Sequence, residues 1–486
     1  MLKKLLCILL CLSTVFSLFG CGDKSGLDNI PTYEINAEYS EETFTLKATE
    51  KITYINTTGA DLKFLKFNLF PNAYREGAVI KPVNAQSFLQ AFPEGASYGN
   101  ITVNKAASGN KRLEYEICGK DKNILKVNLS ETLAKNKKTA LEIDFTLKLA
   151  NIRHRLGYNE NTVNFGNFYP ILCVYEGEKG FYECEYYSNG DPFYSCAANY
   201  YVNIKLQKDF VLAASGEIKN TETSGNYKTY HTEIKGARDY AFIISKNFSV
   251  ISKKVLGINL HYYYYNDDDK DEAVKAAELS FKTFSNIIGD YPYNTLSVVQ
   301  TGFVFGGMEY PALTYISDKL EGENYIEVIV HENAHQWWYS AVGNNQLECA
   351  YIDEGLAEYC TMLFYEKNPQ YNKTRQNLVE ANENTYRFYY DIYKQIYGKA
   401  DTTMNRKLSD YTSEFEYINI TYIKGMLLFE NLREVMGDTK FFKFLRNFYK
   451  NNIYQIVDTG VLINECCKIM NVKGIIDSYV NGTAII

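Results

Sequence analysis

The chain has 486 residues, 46% apolar and 22% charged, with 31 Gly and 9 Pro; this composition excludes a disordered or collagenous chain and allows about three domains of ordinary size. A net charge of −7 offers no basic field for phosphate backbones, so no nucleic-acid partner is expected. Tyrosine is abundant, at 43 residues, and runs such as Tyr262 to Tyr265 read as strand rather than as a base-stacking platform.

Lys3 and Lys4 precede an apolar run from Leu5 to Phe19, too short to span a bilayer and patterned as a secretory leader. It ends in Leu18-Phe19-Gly20-Cys21, which resembles a bacterial lipobox. Residues 1–20 are therefore expected to be removed, Cys21 to be lipidated, and residues 21–29 to form a polar tether. The protein is expected to be exported and lipid-anchored at a bacterial cell surface or the periplasmic face of a membrane. The 11 cysteines include no CxxC pair, so neither a thiolate zinc site nor a disulfide scaffold is expected. Cys466 and Cys467 read as core residues.

From about Ile30 to Val250 the apolar period is two: Phe44, Leu46, Ala48, Ile52 and Tyr54 alternate with polar residues, as do Leu141 to Leu149 and Val202 to Leu206. Turn signals fall at 56–59, 108–110 and 189–192. The spacing predicts an antiparallel β domain over residues 30–250. After Tyr265 the period changes. Asn266 with Asp267 to Asp269 reads as a helix N-terminus, and Ala273, Ala277, Phe281, Phe284 and Ile288 follow at helical spacing. One extended segment, Gly307 to Ile316, precedes mainly helical patterns from Glu323 onward. Residues 251–486 are thus predicted to be a mainly helical domain with a small mixed sheet, giving an α+β chain of two domains. No flexible linker separates the halves, which predicts a firm interface.

Within a helical run from Tyr325 to Val342 lies His331-Glu332-Asn333-Ala334-His335. Positions i and i+4 share a helix face, so both imidazoles can reach one Zn²⁺ at about 2.0 Å, with Glu332 turned toward a metal-activated water. The motif alone also fits two solvent-facing histidines. Here, however, two of only five histidines fall in it, flanked by Ile329, Val330, Trp337 and Trp338. A third ligand is required, and Trp338 and Ala341 stand where the metzincin pattern would place Gly and His. The candidate is Glu354, nineteen positions after His335 on a second helix ending near Lys367, which closes a His₂Glu site with one position open. Glu358, one turn further, is placed to accept the spare N–H of a metal-bound histidine; an exposed helix carboxylate fits equally.

Gly306, Gly307 and Met308 lead the extended segment to Glu309. Glycines permit close backbone approach, a strand edge pairs with extended peptides, and Glu309 suits a free α-ammonium, although a surface charge reads equally well. The helix head Tyr417 to Gly425 offers a phenol able to donate to an oxyanion, but nothing in the spacing singles out Tyr422 among 43 tyrosines.

Together these segments resemble the aminopeptidase N and leukotriene hydrolase family of gluzincin zinc metallopeptidases, whose pattern is HExxH, eighteen residues, then Glu in an NEG-like context. His331, Glu332 and His335 with Asp353-Glu354-Gly355 match it. The family's Gly-x-Met-Glu-Asn motif is similar to Gly306 to Tyr310, with Tyr310 replacing Asn, and its tyrosine before Lys-Gly matches Tyr422, Lys424 and Gly425. The segments 67–72 and 168–170 look like the shorter bacterial branch.

The resemblance implies a saddle-shaped β domain, a thermolysin-like catalytic domain and one Zn²⁺ per chain. It also implies Glu309 for the substrate amine, Glu332 as general base and Tyr422 as oxyanion donor. The expected activity is removal of N-terminal residues from extracellular peptides. Because many relatives carry a helical C-terminal cover beyond this point, an open site with endopeptidase or relaxed specificity is the alternative; a catalytically inactive peptide-binding lipoprotein is the remote one.

Overall fold

The structure, a computed structural model, describes residues 27–484. Cys21 and the leader lie outside the described residues. Among those described, no helix is long and apolar enough to cross a membrane.

The first half is β, as its period requires. An eight-stranded sheet runs in the order 217–224, 227–237, 198–207, 32–40, 45–55, 138–148, 100–108 and 111–112. All its pairings are antiparallel except Thr32–Ser40 with Ala198–Gln207. Its inward face buries Leu46, Ile52, Leu141, Ile143, Phe145, Val202 and Ile204, each worth roughly 1.5–3 kcal/mol when taken from water. Two four-stranded sheets complete this part, built around 156–165 with 211–214 and 242–245, and around 62–68 with 115–133 and 171–172.

One inward position breaks the apolar pattern. Glu50, between Ala48 and Ile52, is fully buried, and neither carboxylate oxygen has a hydrogen-bond partner among the described residues. Burial drives its pKa far up, which favours the neutral acid over the carboxylate.

The strand Ser249–Val255 opens a five-stranded mixed sheet in the order 249–255, 258–264, 295–301, 313–317, 307–308, whose three inner strands are parallel. Helix α1 (Lys270–Ile287) crosses between the second and third of these. It begins three residues later than Asn266 implied: the Asp267 side chain accepts from the Asp269 N–H at 2.8 Å and from Tyr262 Oη, and this local turn uses the residues expected to cap the helix. The single extended segment expected over Gly307 to Ile316 is instead a hairpin, Gly307–Met308 against Leu313–Ser317, with Glu309 at its turn and Ala312 at φ 57°.

Helix α2 (Gly322–Ala334) stops eight residues short of the expected Val342. Trp337 and Trp338 are both buried, the former donating to Gly289 O at 2.9 Å, and Tyr339 adopts φ 116°, which no helix accommodates. Helices α3 (Asp353–Lys367) and α4 (Arg375–Tyr397) follow, and a continuous helical path through Glu414–Ile418 and a π turn, Asn419–Ile423, leads into α5 (Lys424–Met436). The halves are stapled by buried polar contacts. Arg238 donates to Ser195 O and Tyr339 O, and Tyr310 Oη donates to Asn167 Oδ1 at 2.7 Å. The Asn-to-Tyr departure thus ties the hairpin to the β half rather than loosening it. Cys173, Cys184 and Cys196 form no disulfide, while Cys466 is buried and Cys467 half-buried.

Candidate active site

Helix α2 buries Tyr325, Ile326, Ile329 and Val330, and Asn333 anchors it by donating to Ser280 Oγ of α1 at 2.9 Å. This presents His331 and His335 on another face. His335 terminates the helix yet keeps helical dihedrals, so the i, i+4 relation survives the shorter helix. The two Nε2 atoms lie 3.1 Å apart, and Glu354 Oε2 lies 3.3 Å from His331 Nε2 and 3.2 Å from His335 Nε2.

The outer ring nitrogens decide what that triangle is. His335 Nδ1 faces Trp338 O at 2.9 Å, and His331 Nδ1 faces Glu358 Oε2 at 3.1 Å. Both partners accept, so each Nδ1 carries the hydrogen and each Nε2 presents a lone pair. Three unshared pairs from two imidazoles and a carboxylate converge on one point, an arrangement that is repulsive without a cation and suited to Zn²⁺. A second group, Glu309, His335 and Asp353, also brings ligand atoms within 4.8 Å of one another. It shares His335, whose Nδ1 is already committed to Trp338, and its two carboxylates are both engaged by Gln346.

Glu354 stands in the first turn of α3, every residue of which from Asp353 to Ala357 is buried. Burial raises its carboxyl; the facing histidines, His335 first, would outweigh this only when protonated and would then hold it at about 2. Its other oxygen, Oε1, accepts from Tyr422 Oη at 2.7 Å, and the Tyr422 ring lies nearly parallel to His331, 5.7 Å centroid to centroid. Burial and then the Glu354 charge push the Tyr422 hydroxyl far up, so it remains a donor. Tyr422 projects from the π turn, a local widening common where a helix serves a site.

Glu332 is 6% exposed, with Oε2 unpartnered among the described residues. Burial lifts its carboxyl to about 7, with the two histidines pulling the other way. Gly307 makes room for it: a Cβ there would sit 2.4 Å from Glu332 Oε1. Gly307–Met308 is also the outer strand of its sheet, with one edge unpaired among the described residues. Glu309, at the hairpin turn, is buried rather than the surface charge that composition allowed, and accepts from Gln346 Nε2 at 2.9 Å. Burial, then the Asp191 carboxylate, push its pKa well up.

The sequence reading missed Asp191, Arg155, Gln346 and Tyr417. Asn189 to Pro192, read as a sheet turn, is a loop in which Gly190 packs on the Tyr417 ring and Asp191 pairs with buried Arg155. Arg155 Nε also contacts Met308 Sδ at 3.1 Å, so the β half forms one wall beside Glu309. Arg155 and Asp191 are 36 positions apart, and the other two contacts join residues more than a hundred positions apart, so no local period marks them.

Residues 272–479 match the family described as Peptidase family M1 domain. Among curated proteins, Leucine aminopeptidase 2 of Candida glabrata is 26% identical over 198 residues, covering 37% of this chain and 28% of its own. Aminopeptidase O of Rattus norvegicus is 23% identical over 184 residues, covering 34% and 22%. The chain thus spans about a quarter of the length of these relatives. Among solved structures, the M1 zinc metallopeptidase from Deinococcus radiodurans superposes with a TM-score of 0.66 at 15% identity, covering 94% of this chain and 95% of that one. A two-domain M1 zinc metallopeptidase mutant bound to L-arginine gives 0.63 at 15%, covering 93% and 94%. The β-rich half, the helical half and the matched domain define an M1-type architecture. Residues 272–479 are similar to the Peptidase family M1 domain, and the fold as a whole is similar to that of M1 zinc metallopeptidases.

Proposed function

We propose that the protein is a zinc-dependent aminopeptidase, with His331, His335 and Glu354 holding one Zn²⁺ per chain. The observation that carries this reading is the convergence of His331 Nε2, His335 Nε2 and Glu354 Oε2 within 3.1–3.3 Å of one another, each histidine oriented by an acceptor at its far nitrogen. When bound there, Zn²⁺ supplies a Lewis acid that polarises a carbonyl and makes water more acidic.

The chain's own groups do the rest. Glu332, buried and with one oxygen unpartnered, takes the proton of the attacking water and passes it to the leaving amine. Tyr422 Oη turns its donor from Glu354 to the oxyanion as charge develops. Glu309 receives the substrate α-ammonium, and the free edge of Gly307–Met308 pairs with the extended peptide, Gly306 leading the chain into that edge. The names of the curated relatives and a Deinococcus radiodurans M1 metallopeptidase mutant bound to a Tyr-Ser-Ala substrate support a peptide substrate.

An amino-acid 4-nitroanilide and its N-acetylated form, assayed side by side, test the exopeptidase reading. Loss of cleavage on acetylation is expected. Equal cleavage would replace it with the endopeptidase or relaxed reading, and cleavage of neither, with no metal bound, would leave a peptide-binding protein.

The leader and Cys21 extend the proposal to a lipid-anchored exported enzyme, acting on peptides outside the bacterial cell. Incorporation of a labelled lipid precursor, abolished in Cys21→Ala, is the expected result; secretion of an unlabelled protein would contradict it.

A further inference from the structure

Among the described residues, no cation is paired with Glu309. The group that holds it is neutral: Gln346 Nε2 donates one hydrogen to Glu309 Oε1 at 2.9 Å and the other to Asp353 Oδ2 at 2.8 Å. With both amide hydrogens on carboxylates, the orientation of the side chain is fixed, since the reverse would set a carbonyl oxygen against two negative groups. Asp353 Oδ1 accepts in turn from Asn344 Nδ2 at 2.8 Å, and Asn344 sits in the parallel pair Gly343–Asn344 with Ile456–Val457. All four side chains are buried, Gln346 and Asp353 to 1% exposure. Gln346 Oε1 has no hydrogen-bond partner among the described residues.

We infer that Gln346 is a positioning residue for recognition of the free N-terminus, acting through Glu309; this rests on the reading of Glu309 given above. The chemistry of the residue explains the choice. A lysine or arginine here would neutralise Glu309 and compete with the substrate ammonium. An apolar residue would leave two buried carboxylates without donors, a costly state. A glutamine holds Glu309 in place without supplying a positive charge, so a docking ammonium is the cation against which the carboxyl ionises. An ammonium docked on Glu309 also brings the N–H donor that Gln346 Oε1 lacks. Asp at 353 completes the relay, because a carboxylate accepts on both oxygens, here from Asn344 and Gln346, whereas an asparagine accepts on one.

The test compares two hydroxamates that differ only in the amine: leucine hydroxamate and 4-methylpentanoyl hydroxamate. Dissociation constants for the zinc-loaded wild type and Gln346→Met are measured by calorimetry, with zinc content determined alongside. The wild type is expected to prefer the amine-bearing compound. Gln346→Met should reduce that preference about tenfold or more, the effect of one lost hydrogen bond to a charged group. Zinc content and affinity for the des-amino compound should stay unchanged. A preserved preference, equal weakening toward both compounds, or loss of zinc in Gln346→Met would each overturn the role of Gln346. A wild type with no preference would overturn the Glu309 reading itself.

Discussion

Gly355 and Gly425 touch backbone to backbone: a Cβ on either would meet main-chain atoms of the other at 2.9 Å. These glycines follow Glu354 on α3 and Lys424 on α5, so their contact is what brings the π turn with Tyr422 onto the Glu354 carboxylate.

Gly425→Ala separates these helices. It should destabilise the protein by about 1–3 kcal/mol, as overpacking does, and lower kcat as Tyr422 withdraws from Glu354. Denaturant unfolding and steady-state kinetics on one preparation check both effects. Unchanged values for both would show that the close approach has slack.

Gly307→Ala acts first on Glu332, whose side chain holds the three atoms nearest to an added Cβ. The added methyl occupies the space of the Glu332 carboxylate, so turnover should fall about a hundredfold or more, the scale of a lost general base, while zinc content stays intact. Kinetics and metal analysis read this; activity near wild type would place the proton transfer elsewhere.

Tyr422→Phe removes a single hydroxyl while retaining the ring on His331. A loss of roughly 10²–10³ in kcat with KM and zinc content little changed is expected of an oxyanion donor. A loss confined to KM would instead make Tyr422 a binding residue.

Lys424 gives a pH signature away from the metal ligands. Its ammonium is fully buried and donates to Thr402 O at 2.6 Å and Tyr479 O at 2.8 Å, two bonds that a neutral amine also makes. Burial lowers its pKa to about 7, against the pull of Asp401. Between about 7 and the ordinary value of 10.5, the unfolded chain therefore holds a proton that the folded chain has released, and stability rises with pH across that window. The wild type should gain stability relative to Lys424→Met between pH 7 and pH 10, by at most about 1.4 kcal/mol per pH unit. Unfolding free energies at several pH values check this, and a constant difference would contradict it.

What was legible in the sequence was local. His331 and His335 share a face because one helical turn separates them, and the alternation around Leu46 and Ile143 fixes which side of a strand is buried. The remote contacts were not legible. Glu50 occupies an apolar phase without any periodic sign of it, Asp191 reaches the site from a loop that reads as a sheet turn, and Gln346 meets Glu309 only after the chain folds. Tyr310, a departure from its motif, has its partner in Asn167, a residue of the β half far away in sequence. Helix ends were misplaced where side chains claimed the backbone, as at Asp267 and Trp337.

The central claim is that His331, His335 and Glu354 together bind one zinc ion, and the most direct measurement is zinc content per chain after purification without chelators. The account predicts about one zinc in the wild type and in Glu332→Gln, the latter without turnover, and loss of zinc from both His335→Ala and Glu354→Ala. Full zinc content in Glu354→Ala, or a wild type that takes up none when zinc is supplied, would contradict it.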